Sequence, residues 1–321
     1  MSINNKIILF AKGKRGYVCC KKILEEGRNL SLIVRQPNDS FDEDILFLSD
    51  KFKVPSISFT DPNSKEALNT LSSYLPDLFV LAGYGLILRN ECLRIPRLYS
   101  INLHGGKLPY YRGSSPLNWA LINNEKSVGI SILKVDDGID TGDILAESTR
   151  SLKLEDNISA LHDWANTEFP VMLSSVLKKI QHQEITPIPQ NNLDAVYYPR
   201  RFPDDGFILW DKINAVDAHN LIRALSVPYP CAYTFFKGRE IRIRSSSLPK
   251  SMFQGEPGRI YRKSKGKLLV GTILNALLIE DAYFVDDMTS LYDGVNRYDT
   301  LATLTEVAFN YYSNINENKK L

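Results

Sequence analysis

The chain has 321 residues, which is too many for one small hydrophobic core, so we expect two domains. Hydrophobic residues make up 44% and charged residues 24%, as in ordinary globular proteins, and the net charge of +2 gives no sign of nucleic-acid binding. The apolar runs are too short for a membrane helix or a signal peptide, and the four cysteines lack the spacing of a disulfide framework or a zinc site, so we expect a reduced, cytoplasmic setting without membrane contact.

The first half of the chain alternates between strand-like and helix-like segments. In chain order the predicted segments are strands at 6–13, 30–36, 77–85, 100–104 and 127–135, with helices at 16–26 and 156–183. A strand–helix–strand start favours a parallel sheet in an α/β domain. In the long helix, Asp156 or Asn157 is the expected N-cap, and Pro170 is expected to cause a kink.

The alternation stops in a stretch rich in proline and polar residues. Beyond it the sequence predicts one short helix at 214–226 and several short strands, which favour a small β-barrel or sandwich. We therefore predict a Rossmann-like catalytic domain at 1–189, a linker at 190–206 and a β-barrel-like domain at 207–313.

Two stretches carry the candidate chemistry: "SINLHGGKLPYYRGSSP" at 100–116 and "DDGIDTGDI" at 136–144. Asn102 and His104 point to the same side of a strand end, where ligands bind in open parallel sheets. A histidine that exchanges a proton, an amide that donates to a developing oxyanion and a nearby carboxylate are the groups needed to move an acyl group onto an amine. The structural alternative is a strand-end histidine that only packs and an aspartate-rich turn in solvent.

Taken together, these two stretches closely resemble the folate-dependent formyltransferase family, and the resemblance covers essentially the whole chain. The family pattern is Asn-x-His with an aspartate in a later glycine-rich loop, which implies that Asn102, His104 and Asp140 are catalytic. The implied fold is α/β: a Rossmann-like N-terminal domain followed by a smaller, open, OB-like β-barrel. The implied reaction is formyl transfer from N10-formyltetrahydrofolate to an amine, in which His104 is the base and no metal takes part.

The resemblance also implies where folate binds. The family's pocket uses the loop after the strand that precedes the Asn-His strand, together with the aspartate loop, and main-chain groups do much of the recognition. In this sequence the corresponding residues are Tyr84, Gly85, Leu86, Ile87, Leu88, Asp136, Asp137, Gly138 and Ile139.

The identity of the amine is inferred from two stretches. Segment 35–47, "RQPNDSFDEDILF", holds four acidic residues and one arginine where tRNA-modifying members carry a basic insertion, so we expect it to repel phosphate. Segment 197–210, "YYPRRFPDDGFILW", resembles the junction between domains in sugar N-formyltransferases. We therefore predict a nucleotide-linked amino sugar as substrate, with a dTDP-4-amino-4,6-dideoxyhexose for surface polysaccharide (lipopolysaccharide O-antigen) as the first candidate, and we do not expect a nucleic-acid partner. The alternatives are a methionyl-tRNA formyltransferase and a folate-binding protein without turnover.

The predicted substrate-binding residues are basic, aromatic and acidic side chains of three segments. They are Lys12, Lys14, Arg15, Lys107, Tyr110, Arg112, Arg200, Arg201, Asp204 and Asp205. Arginine pairs well with diphosphate, and a helix N-terminus near the first three attracts anions. The alternatives are a charged surface turn for the first group, loop locking for Arg112 and a solvated linker for the last four. An open barrel exposes a sheet edge, which favours a homodimer.

Overall fold

The structure is a computed structural model, and it describes residues 5–37 and 40–303. The chain divides into two compact units. Unit 1 contains the described residues up to Pro116 together with Ser127–Ser151 and His162–Pro199; unit 2 contains Leu117–Lys126, Leu152–Leu161 and the described residues from Arg200 onward. The last part of the predicted C-terminal domain, 304–313, lies outside the described residues, as does Asp39 of the acidic segment.

Unit 1 is built on a seven-stranded sheet. Its strands, with one additional short pair, are β1 (Ile7–Ala11), β2 (Leu30–Arg35), β3 (Ser56–Ser58), β4 (Leu78–Ala82), β5 (Tyr99–His104), β6 (Arg112–Gly113), β7 (Ser127–Lys134), β8 (Ile144–Ser151) and β9 (Tyr197–Tyr198). The sheet order is β3-β2-β1-β4-β5-β7-β8, and β6 pairs separately with β9. The first five strands are parallel, while β7 is antiparallel to both β5 and β8. The order of the parallel strands is that of a Rossmann-like sheet, which confirms the predicted α/β fold.

Eight α-helices flank or connect the strands of the described chain. They are α1 (Gly13–Glu25), α2 (Asp42–Phe52), α3 (Lys65–Ser73), α4 (Asn90–Leu93), α5 (Pro116–Ile122), α6 (Ile158–Gln181), α7 (Ala215–Leu225) and α8 (Leu291–Gly294). Every residue of β1 and β4 is buried, as expected for central parallel strands that are covered on both faces. Asn157 accepts a hydrogen bond from the Ala160 amide and so caps α6.

The carboxyl ends of β1, β4 and β5 meet at one edge of the sheet. The register pairs Ala11 with Ala82 and Leu81 with Asn102, so the loops that follow these strands begin side by side. The strand order reverses between β1 and β4, and ligands of open α/β sheets bind at such a reversal. The fold therefore brings the predicted folate loop and the Asn-His strand to the same edge.

Unit 2 is smaller and contains a five-stranded antiparallel sheet. Its strands are β10 (Ala232–Phe236), β11 (Arg239–Ser247), β12 (Ile260–Ser264), β13 (Lys267–Gly271) and β14 (Ala276–Phe284), in the order β10-β11-β14-β13-β12. Helix α7 packs against this sheet, and Trp210 is fully buried in the core between them, where its Nε1 donates to Thr234 Oγ1 at 2.9 Å. This antiparallel domain confirms the predicted small β domain. Among the described residues, no helix has the length and apolar character needed to span a bilayer.

Candidate functional site

The Asn-x-His motif lies at the end of β5, between β4 and β7. Successive side chains of a strand alternate, so Asn102 and His104 share one face. The His104 side chain is only 6% exposed, whereas Asn102 is half-buried. The strand therefore presents an amide and an imidazole together, next to the loops at the carboxyl edge of the sheet.

Both ring nitrogens of His104 face protein groups. Nε2 lies 2.6 Å from the Tyr111 carbonyl oxygen, to which it donates, and Nδ1 lies 3.4 Å from Asp140 Oδ1. Burial lowers the pKa of His104, and Arg15 acts in the same direction, while the Asp140 carboxylate and the Tyr111 carbonyl raise it. The net direction is downward, so His104 is neutral at neutral pH and is able to accept a proton.

Asp140 is held by main-chain contacts on the loop between β7 and β8. Its Oδ2 accepts a hydrogen bond from the Gly113 amide at 3.0 Å, which leaves Oδ1 facing His104. Its backbone has a left-handed φ of 54°, a conformation that non-glycine residues rarely adopt. Two residues later, a Cβ on Gly142 would collide with the Lys134 carbonyl, so the loop requires glycine there. The structure thus brings together His104 and an aspartate 36 positions further along the chain.

A segment that we predicted in part as linker lies against this site. Residues 188–198 run along the loops that carry Arg112 and Asp140: Ile188 bridges to Ile144, and β9 pairs with β6. Tyr198 stacks on Tyr111 with ring centroids 4.8 Å apart. Within this segment, the Gln190 side chain contacts the Asp140 loop, which the sequence analysis missed because a single glutamine in a polar stretch carries no recognisable signal.

Arg112 contacts the same segment, residues 188–198. Its side chain is almost completely buried, and its guanidinium donates to Gln190 Oε1, to Asn192 Oδ1 and to the Tyr197 hydroxyl at 2.8–3.0 Å. These contacts correspond to the loop-locking alternative for this arginine. Two other residues of the loop, Lys107 and Tyr110, are exposed, and the Lys107 ammonium lies 5.7 Å from the Tyr110 ring.

The two loops predicted to hold folate combine buried anchors with exposed positions. Tyr84 packs edge-on against Phe10, and Leu88 is buried, whereas Ile87 and Ile139 are 81% and 64% exposed. The Gly85 amide donates to Gln36 Oε1 at 2.8 Å. Leu86 lies half-buried between these anchors.

The aspartate loop is braced from within, since Asp136 Oδ1 accepts hydrogen bonds from the Gly138 amide and from the Thr141 hydroxyl. Asp137 is exposed beside them.

One polar atom of the folate loop has no partner within the described structure. The Tyr84 hydroxyl is buried without a hydrogen bond, and burial raises its pKa to about 12. Because a buried hydroxyl without a partner is unfavourable, its position suits contact with a bound polar ligand. The residues present are therefore compatible with a folate site at this edge of the sheet.

The basic residues of the β1–α1 turn are paired within unit 1. Lys14 forms an ion pair with Asp163 at 2.7 Å, and Arg15 donates to the Leu103 carbonyl at 3.1 Å while its guanidinium lies over the Phe169 ring. Lys12 is half-buried and precedes α1.

The remaining predicted substrate residues belong to unit 2 and form local contacts. Arg201 lies 4.8 Å from the Trp119 ring centroid and donates to the Asp205 carbonyl, while the Asp205 carboxylate accepts from the Phe202 amide. Arg200 and Asp204 are exposed. Arg201 and Asp205 thus stabilise a 3₁₀ turn at Pro203–Gly206.

Two segments of the chain match protein-family models. Residues 41–177 match the model described as formyl transferase, and residues 202–287 match that of the formyl transferase C-terminal domain.

The chain is also similar to proteins of known sequence and structure. A methionyl-tRNA formyltransferase of Alkaliphilus oremlandii is 31% identical over 286 residues, which cover 87% of this chain and 92% of that protein. A methionyl-tRNA formyltransferase of Acetivibrio thermocellus is 37% identical over 222 residues, 68% of this chain and 70% of that protein. The crystal structure of an N-formyltransferase from Helicobacter canadensis, in complex with folinic acid and dTDP-3-aminofucose, is similar in fold. Its TM-score is 0.66 at 19% identity, and the match covers 87% of this chain and all of that one.

These comparisons show that the predicted nucleotide-sugar substrate is wrong. Three relatives, at 31%, 34% and 37% identity, are named methionyl-tRNA formyltransferase, whereas the sugar-nucleotide complex shares 19% identity and supports the fold alone. In the structure, Asp42 of the acidic segment pairs with Arg35 at 2.5 Å, so part of its charge is neutralised locally. The stretch at 197–210 has a structural role, because it forms the 3₁₀ turn at Pro203–Gly206 and contributes the buried side chain of Trp210. The predicted absence of a nucleic-acid partner rested on the acidic segment and on the low net charge, and the relatives named for tRNA speak against it.

Proposed function

We propose, because the chain belongs to the formyl transferase family, that it transfers a formyl group from N10-formyltetrahydrofolate to the amino group of methionyl-tRNA. The observation that carries the proposal is the match to a methionyl-tRNA formyltransferase over 92% of that protein's length. A cytoplasmic location, where aminoacylated tRNA is used, follows from this proposal. The homodimer stays a prediction.

The formyl donor is proposed to bind at the loops after β4 and β7. Main-chain groups of Gly85 to Leu88 and of Asp136 to Ile139, with the buried Tyr84 hydroxyl, would hold it. When bound, N10-formyltetrahydrofolate supplies a formyl carbon that an amine is able to attack.

His104 is proposed as the general base. The amine must lose a proton to become acylated, and a neutral imidazole at the carboxyl end of β5 is suited to accept it. Asp140, with Oδ1 at 3.4 Å from Nδ1, stabilises the imidazolium that results. Nε2 carries the ring proton when it donates to the Tyr111 carbonyl in the free protein. To act as the base, His104 therefore needs this proton on Nδ1, facing Asp140, so that Nε2 leaves the carbonyl and presents its lone pair to the amine.

Asn102 is proposed to stabilise negative charge. Its side chain shares the strand face with His104, and the described residues give its amide no hydrogen-bond partner. An amide N–H aimed at an oxygen that becomes negative during acyl transfer lowers the barrier, and removal of one such donor costs roughly 10²–10³-fold in rate. We therefore assign Asn102 to the formyl oxygen.

The test supplies the purified protein with N10-formyltetrahydrofolate and initiator methionyl-tRNA, and follows formylmethionyl-tRNA by mass and tetrahydrofolate by absorbance. A parallel reaction replaces the tRNA with a panel of nucleotide-linked 3-amino and 4-amino sugars. We expect formylation of methionyl-tRNA and none of the sugars. Absence of formylmethionyl-tRNA under conditions in which a known methionyl-tRNA formyltransferase is active would refute the proposal.

Two variants test the assigned roles. His104→Ala removes the base and Asp140→Asn removes the charge that stabilises its protonated form, so each should lower kcat by roughly 10²-fold or more. Folate binding, measured by fluorescence titration, and the circular dichroism spectrum should be retained. A rate close to wild type in His104→Ala would exclude this histidine as the base.

A further inference from the structure

The Gln190 side-chain amide makes four hydrogen bonds. Its Nε2 donates to the Asp140 carbonyl at 2.8 Å and to the Gly142 carbonyl at 2.7 Å. Its Oε1 accepts from Arg112 Nε and Nη2 at 3.0 and 2.9 Å. A primary amide has two N–H donors and two acceptor lone pairs, so every hydrogen-bonding position of Gln190 is used.

The loop that Gln190 holds is one that needs support. Asp140 has a left-handed φ of 54°, and such a conformation persists in a non-glycine residue only when its surroundings fix it. Gln190 fixes the main chain at Asp140 and again two residues later at Gly142. The Gly113 amide fixes the carboxylate itself, and Gly113 is in turn placed by the pairing of β6 with β9.

Arg112 determines which way the Gln190 amide faces. The guanidinium is almost fully buried and donates to Oε1 through two nitrogens, so the amide oxygen must point toward it and the NH₂ group toward the Asp140 loop. A cation on the oxygen side also polarises the amide and strengthens its N–H groups as donors. The hydrogen bonds therefore run in one fixed direction, from the Arg112 guanidinium to Gln190 and from Gln190 to the main chain at Asp140.

We propose that Gln190 is a positioning residue which, oriented by Arg112, holds the Asp140 loop so that the carboxylate reaches His104. The inference rests on the proposed function for the roles of Asp140 and His104. Gln190 does not touch either reacting side chain, and it acts through the main chain of the loop.

The test uses a nearly isosteric variant and a neighbouring control. Gln190→Met has a similar length but neither donors nor a strong acceptor, so it releases the Asp140 loop. Asn191→Ala is the control, and it removes the side chain that caps the adjacent 3₁₀ turn (Asn192–Asp194). In the described structure this side chain has no hydrogen bond to Asp140 or Arg112. Gln190→Glu is a second variant that keeps an acceptor for Arg112 but places an oxygen against the two loop carbonyls.

Kinetics with methionyl-tRNA give the first readout. We expect Gln190→Met and Gln190→Glu to lower kcat by about tenfold or more, because misplacement of a functional group by about 1 Å lowers the rate by up to about 10²-fold. KM for both substrates should change by less than about threefold. Asn191→Ala should match wild type. In an Asp140→Asn background, Gln190→Met should have no further effect on kcat, since residues that act through one group are not additive. Wild-type kcat in both Gln190 variants, or a full additional loss in the Asp140→Asn background, would overturn the proposal.

The second readout does not require turnover. The His104 imidazole is titrated by NMR in wild type and in Gln190→Met, with its signal among the four histidines identified by His104→Gln. The charged groups facing it are Asp140, which raises its pKa, and Arg15, which lowers it. Displacement of Asp140 should therefore move the pKa of His104 further down, and an unchanged titration in folded Gln190→Met would overturn the proposal. If the wild-type protein formylates no methionyl-tRNA, the proposed function fails, but this titration still decides whether Gln190 positions Asp140. If Gln190→Met does not fold, the kcat of Gln190→Glu decides.

Discussion

Gly106→Ala should impair the site without changing any of its functional groups. A Cβ at this position would lie 2.6 Å from the Tyr111 carbonyl oxygen, 2.7 Å from His104 Nε2 and 2.8 Å from Pro116 Cβ. Ordinary contacts begin at 3.4 Å, so the imidazole would have to move by about 0.7 Å. Gly106 does not have a left-handed φ, so the effect of alanine is steric alone. Overpacking of this kind costs about 1–3 kcal/mol of unfolding free energy, and displacement of a base by nearly 1 Å lowers kcat by up to about 10²-fold.

The assay compares kcat for methionyl-tRNA with the urea unfolding of the same protein. Gly266→Ala is the control, since Gly266 has a left-handed φ of 74° and a Cβ there would meet no atom within 4 Å. That control should lose about 1 kcal/mol of stability through backbone strain and keep full kcat. If Gly106→Ala keeps wild-type kcat, His104 does not occupy the described position during catalysis and the steric reasoning is refuted.

Two further predictions concern a folate-loop hydroxyl and a buried histidine. Tyr84→Phe removes a buried hydroxyl that has no partner in the described structure, so the free protein should gain up to about 1 kcal/mol in urea unfolding. Its folate affinity should fall at the same time if that hydroxyl contacts the donor, and an equal or higher affinity would contradict this contact. Burial lowers the pKa of His162 from 6.5 to about 4, so the unfolded chain binds the proton more readily. The free energy of unfolding should therefore fall as the pH drops from 6.5 to 4, and His162 should account for about 3 kcal/mol of this loss. Above pH 6.5, His162 should make no pH-dependent contribution. The urea midpoint of the wild type should fall relative to that of His162→Gln as the pH is lowered from 7 to 4, because glutamine takes up no proton, and parallel curves would count against the assignment.

Several features of the fold could be predicted from the sequence because they depend on local patterns. The apolar run at 6–13 is long enough for a buried strand, and its glycine turn leads into a helix, as in β1 and α1. The position of His104 at a strand end, with Asn102 two residues earlier, follows from strand periodicity alone. The approach of Asp140 to His104 followed from the resemblance to the formyltransferase family.

Other parts of the site depend on contacts between distant positions. Gln190 reaches a loop 50 residues earlier in the chain, and nothing in its own neighbourhood distinguishes it from a surface glutamine. The Tyr111 carbonyl that binds His104 is a main-chain group, which every residue type provides. For Arg112 the sequence left two roles open, substrate binding and loop locking, because its partners Gln190, Asn192 and Tyr197 lie about 80 residues further along the chain.

The substrate prediction failed for a different reason. It gave weight to the charge of one short segment and to the resemblance of another at 197–210, although recognition of a large ligand depends on the whole surface. Within the acidic segment, Asp42 is paired with Arg35, and Asp42, Glu43 and Asp44 all lie in the first turn of α2, where negative charge stabilises a helix. These three acidic residues therefore have a local structural role.

The two units are not consecutive along the chain, because unit 2 takes two of its segments, Leu117–Lys126 and Leu152–Leu161, from the first half of the sequence. Within unit 2, Asn118 donates to the Ala224 carbonyl, and Arg223 donates to the carbonyls of Lys153 and Asp156. A protein truncated after residue 189 would keep these two segments and lose the partners that satisfy them. Transplanting the second unit onto another member of the family would likewise require all three of its pieces, so recombination within this family is expected to succeed only between members whose short inserted segments match.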